Sequence, residues 1–473
     1  MHFPTGTSLR VLASVLLGLA SALPNPGNGK GNLPTGDDDT ITRDFAIIGG
    51  GASGTFAAVR LREQGKSVVL IERDGHLGGH THTYYDSHGT PIDYGVWVYS
   101  NNTVSRSFFA HFDIPLTTEV FSRDPQATRR LDFRTGQPIG PPPGDAAEAM
   151  TRYTQILLQY PYLMDGWDLP YPVPEDLLLP FEDFIARHDL QAAVETLASY
   201  VQGFGNILTL PAAYVMKYFH LGVVQGAQTG FLRPASQDNS DLYRAAEEEL
   251  GDDLLLSSTV AHMQRSAEDS GPQHIVVHSP SGHQRIQADK IIVAIPPLLE
   301  QLANFDLDER ESDVFGRFEN NSFYPAILHI SGLLGNGTQY LNKAPETPYN
   351  IAPVPSTYVF TPTANPDLWT GFFGGGPVPM STEQVRRAIL DNALSLRAAG
   401  YPISDPEIVA FRPHVPFGLY VSSGAIADGF YRDLYGLQGY RNTFYTGAAF
   451  HTPDSAELWR FTENLLNENG LVD

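Results

Sequence analysis

Three glycines near the N-terminus have the spacing that binds a dinucleotide. Gly49, Gly51 and Gly54 occupy the first, third and sixth positions of a Gly-x-Gly-x-x-Gly motif. The first glycine of such a motif allows a tight turn, the second lets the backbone approach a pyrophosphate, and the third lets a helix pack closely on a strand. Glu72 follows about 20 residues later, where a carboxylate accepts hydrogen bonds from a ribose diol and repels a 2′-phosphate. These four residues predict a dinucleotide site.

Two histidines form a second candidate group. His80 and His82 are two residues apart, which would place both side chains on one face of a predicted strand. The pair is a candidate metal site, but no third ligand with metal-site spacing stands near it. We therefore predict no metal, and for His80 a backbone- or phosphate-bonding role near the cofactor.

The elements around the glycine motif are those that a dinucleotide needs. Residues 45–48 and 68–71 are short apolar runs typical of buried parallel strands, and residues 55–64 have helical spacing that ends at Gly65. The N-terminus of the helix offers unpaired N–H groups to phosphates. A glycine-rich turn alone is also compatible with a purely structural role, but this order of elements favours an α/β fold with a Rossmann-like domain.

The segment after Glu72 indicates which dinucleotide is bound. Leu77–His80 contains a glycine doublet, and Ile92–Gly95 contains an Asp-x-Gly element. These motifs resemble the glutathione-reductase-like FAD fold, in particular the flavin amine oxidase superfamily, in which the doublet is usually followed by arginine. The resemblance implies FAD as the cofactor.

Two later stretches extend the resemblance to most of the chain. Leu254–Val260 with Lys290–Pro297 looks like the second FAD-contacting region of that superfamily, and Phe444–Ala448 looks like the C-terminal strand that meets the flavin. The resemblance implies a discontinuous FAD-binding domain and a mixed α+β substrate domain. We expect the FAD-binding domain at 44–100, 225–300 and 420–473, and the substrate domain at 101–224 and 301–419. The residues expected to bind FAD are Gly49, Gly51, Ala52, Ser53, Gly54, Glu72, Arg73, Gly78, Gly79, His80, Val260 and Gly447.

The chain departs from the common pattern at His80, which stands where arginine is usual. Gly79–Tyr84 together with Ile92–Val96 is most similar to the fungal β-cyclopiazonate dehydrogenase group. That resemblance implies oxidative cyclisation of an indole-bearing secondary metabolite. It also implies, as an alternative role for His80, a covalent bond to the flavin.

Many amine oxidases carry a lysine over the flavin, on a strand of the substrate domain. The corresponding stretch here, 321–330, contains His329 and no lysine, and neither Lys217 nor Lys343 matches that position. We therefore expect slow reaction of the reduced flavin with oxygen, and simple amines to be poor substrates. The catalytic base is not assigned by the sequence, and its weak candidates are His451, His329 and Tyr445. A structural role near the cofactor is the alternative for His451.

The middle of the chain predicts a substrate domain with an aromatic cavity. Helical spacing dominates residues 146–158, 175–188 and 191–201. Aromatic side chains in strand-like stretches are candidates to line a cavity for a bulky, flat, mostly apolar substrate, with a place in the core as the alternative. They are Phe323, Tyr324, Tyr358, Phe360, Phe372, Phe373, Phe417 and Tyr420, with Tyr445 and Trp459 near the C-terminal strand.

The function expected from these observations is hydride transfer from an apolar or nitrogen-containing small metabolite to flavin, by oxidative cyclisation or desaturation. Such an enzyme needs an electron acceptor as a second partner. Two alternatives stay open. One is an FAD-dependent polyunsaturated fatty acid isomerase, in which the hydride returns to the substrate. The other is a non-enzymatic flavin fold that carries a hydrophobic metabolite.

Composition excludes several classes of partner and chemistry. The chain of 473 residues has 53 acidic against 30 basic residues, for a net charge of −23. This charge repels nucleic acid and anionic membranes. The absence of cysteine excludes disulfides, thiol nucleophiles and cofactors tethered through sulfur.

The N-terminal residues predict export. In residues 1–22 a single arginine precedes a short apolar run and the small residues Ala20-Ser21-Ala22, which is the layout of a cleaved signal peptide, too short to span a bilayer. Residues 23–43 read as a flexible leader rich in glycine and proline. We expect a secreted or lumenal glycoprotein without stable membrane insertion after processing. The sequons are Asn101, Asn320 and Asn336.

Overall fold

The computed structural model describes residues 40–120, 127–266, 271–335, 337–376, 378 and 380–472. The predicted signal peptide, most of the predicted leader and the sequon at Asn336 lie outside these residues. Asn101 and Asn320 are both half-buried.

A seven-stranded sheet carries the glycine motif. The strand order is β8-β2-β1-β11-β10-β9, with β19 also paired to β11. Strand β1 is central and parallel to both neighbours, with Phe45 opposite Val68 on one side and Lys290 on the other. The strands are β1 (Thr40–Ile48), β2 (Val68–Ile71), β8 (Leu254–Leu255), β9 (Thr259–Gln264), β10 (Gln273–Ser279), β11 (Gly282–Val293) and β19 (Thr443–Tyr445).

The first strand begins earlier than the sequence predicts. Residues 40–43, assigned above to the leader, extend β1 and pair with Arg285–Ala288 of β11. The long β11 offers unpaired backbone groups next to them, so the chain continues the ladder although these residues are polar. The three chain segments expected to form the FAD-binding domain all contribute strands to this one sheet.

A second, separate sheet has six strands. Its order is β17-β13-β16-β15-β14-β6, and its inner strands are rich in buried aromatic side chains. The strands are β6 (Thr128–Leu131), β13 (Phe323–Ser331), β14 (Gln339–Asn342), β15 (Ser356–Pro362), β16 (Leu368–Gly374) and β17 (Ser404–Phe411).

Three short strand pairs complete the described sheets. The residues before the first pair correct one prediction, because His80 lies in a turn and His82 in an irregular segment, not in a strand. The pairs are β3 (Thr83–Tyr85) with β4 (Pro91–Asp93), β5 (Leu116–Glu119) with β7 (Phe231–Pro234), and β12 (Glu319–Asn320) with β18 (Leu419–Tyr420).

The helices cover the sheets and build the middle of the chain. The predicted helix 146–158 is confirmed. The predicted helix 175–188 is wrong as a single element, because the chain forms two helices that are separated just before Pro180. In the third predicted helical stretch, residues 191–193 form a 3-10 turn and a helix follows at 194–200. The helices are α1 (Ala52–Glu63), α2 (Thr103–His111), α3 (Ala146–Leu157), α4 (Glu175–Leu178), α5 (Phe181–Arg187), α6 (Val194–Tyr200), α7 (Ala212–Tyr218), α8 (Leu221–Thr229), α9 (Ser240–Leu250), α10 (Glu309–Phe315), α11 (Thr382–Ser395), α12 (Ser423–Ala427), α13 (Phe430–Tyr435) and α14 (Ser455–Glu468).

No helix in the described part of the chain combines the length and the apolar character that a bilayer crossing requires. Helix α1 packs between β2, α9 and α14. Its first two turns are buried, which fixes its N-terminus against the end of β1.

Candidate functional site

A cavity of about 1020 Å³ reaches from the glycine motif to the second sheet. We call it the main cavity. Of the residues expected to bind FAD, Gly54 alone does not line it. The others contribute to its wall: Gly49, Gly51, Ala52, Ser53, Glu72, Arg73, Gly78, Gly79, His80, Val260 and Gly447.

Gly54 acts by allowing close packing of α1 on β1. A Cβ at this position would lie 1.8 Å from the Gly49 carbonyl oxygen, which no side chain can tolerate. The doublet has a related role, because Gly79 lies directly against Gly51, with only 2.9 Å between its Cβ position and the Gly51 Cα. Gly54 therefore holds α1 against β1, and Gly79 holds the doublet against Gly51 in the cavity wall.

The N-terminus of α1 is open toward the main cavity. Gly51 is its N-cap, none of the described side chains caps it, and its first turn carries no acidic residue. The Ser53 hydroxyl is buried there without a hydrogen-bond partner among the described residues. Free N–H groups, an unpaired hydroxyl and the positive end of the helix dipole form a site for phosphate groups.

Glu72 is fixed by the backbone around the motif. One carboxylate oxygen accepts a hydrogen bond from the Gly50 N–H at 2.6 Å, and the other accepts from the Asp74 N–H at 2.7 Å. Glu72 is 7% exposed and lines the main cavity. Each oxygen retains a lone pair for a ribose hydroxyl.

His80 stands beyond the doublet, where the two N-terminal motifs meet. Gly95 of the Asp-x-Gly element approaches the His80 carbonyl so closely that a Cβ would lie 1.9 Å from its oxygen. The imidazole stacks on His414, with ring centroids 3.9 Å apart and planes 9° apart. The His80 side chain has accessible surface, but that surface faces the main cavity. The protein around it still removes most of the solvent. This burial lowers the pKa of His80 to about 4, and the positive charge of Arg73 lowers it further.

Two further histidines join His80. Burial, with the charges of His80 and Arg412, lowers the pKa of His82 to about 3, and burial also lowers the pKa of His414 well below its ordinary value. These three imidazoles are therefore neutral near pH 7. In the described part of the chain no group of histidines and carboxylates has metal-site geometry.

Aromatic side chains form the far wall of the main cavity. Phe323 of β13 and Phe372 of β16 are neighbours with centroids 5.4 Å apart, and Phe417 lies 5.1 Å from Phe323. Trp97 lies 5.0 Å from Phe372. The other aromatic candidates do not line the cavity, because side chains alternate across a strand. They are Tyr324, Tyr358, Phe360, Phe373 and Tyr420, all buried or half-buried elsewhere, and Tyr445 and Trp459, buried in the FAD-side core.

Comparison with known proteins identifies the family. A model of the flavin-containing amine oxidoreductases matches residues 52–307, more than half of the chain. The chain belongs to this family.

Relatives of this flavoenzyme cover nearly its whole length. FAD-dependent oxidoreductase dbaF of Emericella nidulans is 39% identical over 433 residues, which are 90% of this chain and 91% of that protein. β-Cyclopiazonate dehydrogenase of Aspergillus oryzae is 34% identical over 436 residues, 91% of this chain and 93% of that protein. Among solved structures, a CLA-producing fatty acid isomerase from P. acnes has a TM-score of 0.72 at 21% identity, over 90% of this chain and 98% of that chain. The last likeness concerns the fold alone.

The comparisons confirm the predicted FAD fold, the resemblance and the cofactor. The flavoenzyme is an FAD-dependent oxidoreductase. The residues of the main cavity fit FAD, because an uncapped helix N-terminus and an unpaired Ser53 hydroxyl suit the phosphates and the Glu72 carboxylate suits a ribose.

The three candidate catalytic residues all lie away from the main cavity. The His451 Nε2–H donates to the Met164 carbonyl at 2.8 Å, behind the wall formed by Ala448. His329 lies on β13 opposite Leu368 and Glu407. The Tyr445 hydroxyl donates to Glu311 at 2.7 Å on the far side of β19. A catalytic role for any of them stays a prediction that this placement does not favour.

Sequence reasoning missed Trp97, Arg412 and His414, which line the main cavity. Arg412 and His414 belong to an irregular segment after β17, and nothing in its composition signals a cofactor or substrate role. Trp97 follows the Asp-x-Gly element by two residues. Its closeness to a cofactor-binding motif is a signal from which it could have been predicted. Among the described residues no lysine lines this cavity.

Proposed function

We propose that this flavoenzyme oxidises a flat, largely apolar or nitrogen-containing metabolite, leaving a new double bond or ring in the product. The observation that carries the proposal is the shape of the main cavity. One continuous space joins Gly51 and Glu72, which suit a phosphate and a ribose, to the aromatic wall at Phe323 and Phe372.

The side chains of the far wall determine what can bind there. Phe323, Phe372 and Phe417 offer aromatic surface to a planar substrate and exclude water. Each such aromatic buries roughly 150–250 Å² on full contact. The neutral imidazole of His414 presents a hydrogen-bonding group without a charge, and both of its ring nitrogens are buried without a partner among the described residues, which suits a substrate N–H or O–H. Bound FAD supplies the hydride acceptor. The protein therefore orients the substrate, excludes water from the cavity and provides neutral polar contacts.

The names of two relatives support this reaction class. One is called a β-cyclopiazonate dehydrogenase and the other an FAD-dependent oxidoreductase. We infer that the present flavoenzyme removes hydride from a flat secondary metabolite, as the name of the first relative indicates for β-cyclopiazonate. We also infer that a separate electron acceptor reoxidises the flavin.

The test is anaerobic mixing of the purified holoenzyme with β-cyclopiazonate and with a panel of planar indole and polyketide compounds. A substrate should bleach the flavin band, and mass spectrometry should show a product lighter by two hydrogens. Since no lysine of the described chain lines the main cavity, an artificial acceptor should restore colour faster than air. Rapid reduction by NADPH alone would contradict the proposal and indicate a monooxygenase or reductase.

The fatty acid isomerase with the same fold is the specific reason to keep a second candidate. An isomerase returns the hydride, so its product has the mass of the substrate with moved double bonds and no acceptor is consumed. Binding of a metabolite without bleaching and without any product would instead favour a carrier.

We also propose that the enzyme enters the secretory pathway and is glycosylated. The support is the apolar run before Ala20-Ser21-Ala22 and the sequons at Asn101, Asn320 and Asn336. A mass shift on treatment with an N-glycosidase tests the second part, and an unchanged mass of exported protein would overturn it.

A further inference from the structure

A second, small cavity lies directly behind one wall of the main cavity. Its volume is about 10 Å³, close to the space that one water molecule needs. Leu419, Ala448 and Pro453 line both cavities, so a single layer of residues separates them.

Lys217 of α7 points into the small cavity from the other side. The residue is 1% exposed, its Nζ donates to the Leu163 carbonyl at 2.7 Å, and it lies 5.3 Å from the centre of the Trp167 ring. No carboxylate of the described chain lies within ion-pair distance of it. Two of its three N–H groups therefore remain for a ligand in the small cavity.

His451 supplies the complementary acceptor. Because its Nε2 donates to the Met164 carbonyl, its Nδ1 carries a lone pair, and this atom is buried without a partner in the described chain. One water can accept a hydrogen bond from Lys217 and donate one to His451. The site thus has the size and the polar groups that a buried water requires.

The charged groups around Lys217 act on its pKa in both directions. Burial lowers the pKa of Lys217 well below its ordinary value, Glu457 and Asp165 act in the opposite direction, and Arg460 adds to the lowering. Both carboxylates already contact Arg460, at 2.6 and 3.2 Å. The charges of Glu457, Asp165 and Arg460 sum to −1, so a protonated Lys217 would bring this group of side chains to neutrality. His220 is the remaining titratable group that acts on His451.

We propose that Lys217, with His451 and one water, is a buried cation behind the Leu419–Ala448–Pro453 wall that stabilises negative charge in the main cavity. Reduced FAD bound there would carry more negative charge than oxidised FAD, so a cation behind this wall would favour the reduced cofactor. A charge acts across one layer of residues without direct contact, because screening is weak inside the protein.

The test is the flavin midpoint potential of the holoenzyme with Lys217→Gln and Lys217→Met. Two unit charges roughly 10 Å apart at an effective dielectric near 20 interact by enough for an about tenfold change in an equilibrium. Both variants should therefore shift the potential to more negative values by about 30 mV, which is tenfold for a two-electron couple. Lys343→Met is the matched control, because Lys343 is also buried but pairs with Glu195 at 2.7 Å and lines neither cavity. It should leave the potential unchanged.

Two results would overturn the proposal. A wild-type potential in Lys217→Gln would show that the hydrogen bond matters and the charge does not. If the variants fail to retain FAD, the ¹⁵N signal of the Lys217 Nζ in reduced wild-type holoenzyme decides, and a neutral amine contradicts the proposal. The spectrum is simple, since the chain has five lysines: Lys30, Lys66, Lys217, Lys290 and Lys343.

Discussion

At the scale of single residues, His80 has the two features that a covalent flavin ligand needs. Its imidazole borders the main cavity, and it is neutral near pH 7. The uncharged form has the lone pair that forms a bond, whereas a protonated ring does not. The chain contains no cysteine to compete for this role.

The covalent alternative for His80 predicts that acid precipitation leaves the yellow colour with the protein pellet. His80→Ala should release it to the supernatant. His414→Phe is the control, because a phenyl ring preserves the stack at 3.9 Å without a nitrogen, and the pellet should stay yellow. Free FAD from the unmutated protein would leave His80 with a non-covalent role.

The low pKa values of two histidines also predict how acid affects the stability of the apoprotein. His80 and His82 have pKa values of about 4 and about 3 in the folded state, below their ordinary 6.5. The unfolded chain therefore binds more protons in this window, and stability falls as pH decreases from about 6.5 towards about 4. Melting temperatures across that window measure it. His82→Phe should flatten the curve, and the same change at the exposed His262 should not.

Glu72 gives a prediction about affinity. Glu72→Ala removes a carboxylate that borders the main cavity and should weaken FAD binding by about 1–3 kcal/mol, because buried ribose hydroxyls lose their partner. Titration of the apoprotein with FAD measures the change. Glu247→Ala is the control, since Glu247 also binds the backbone of this region, at the Leu77 N–H, but does not line the cavity. Equal losses in both variants would contradict a direct role for Glu72.

At the scale of elements, the sequence predicts what is local and misses what distant segments bring together. Strand β1, helix α1 and Glu72 were predictable because the turn chemistry and the apolar runs lie within a few residues of one another. Pro180 splits a helix that apolar spacing alone extends. His414 reaches the cavity because β17 ends beside β13 in the second sheet, and no local pattern encodes that pairing.

The contact between α1 and β1 gives a prediction at this scale. Gly54→Ala should abolish FAD retention and destabilise the apoprotein by about 1–3 kcal/mol, because a methyl group would overlap the Gly49 carbonyl. Gly65→Ala, at the other end of the helix, meets no atom within 4 Å and has a φ of +74°. It should cost roughly 1 kcal/mol and leave FAD bound. Urea unfolding and the ratio of flavin to protein absorbance measure the two effects.

At the scale of the whole molecule, three separated segments each carry a motif of the FAD fold, and all three contribute strands to the seven-stranded sheet. The aromatic wall was predictable only in composition, since which face of β13 and β16 meets the cavity depends on strand register. Phe323 and Phe372 face it, whereas their neighbours Tyr324 and Phe373 pack in the core of the second sheet.

The processing of the chain provides the prediction at this scale. We expect the mature protein to begin at Leu23, after cleavage behind Ala22. Sequencing the N-terminus of protein recovered from medium or vesicles checks this. An intact Met1 on protein from the cytosol would contradict export.

The parallel pairing of β1 with β11 has a consequence for biosynthesis. The ribosome releases β1 and the glycine turn first, but Phe45 pairs with Lys290, and β11 in turn pairs with Thr443–Tyr445 close to the C-terminus. Contacts of such long range form only when both partners have been synthesised. A nascent chain therefore has no finished pocket for FAD, so loading follows translation, and an exported chain would acquire its cofactor in the compartment where it folds.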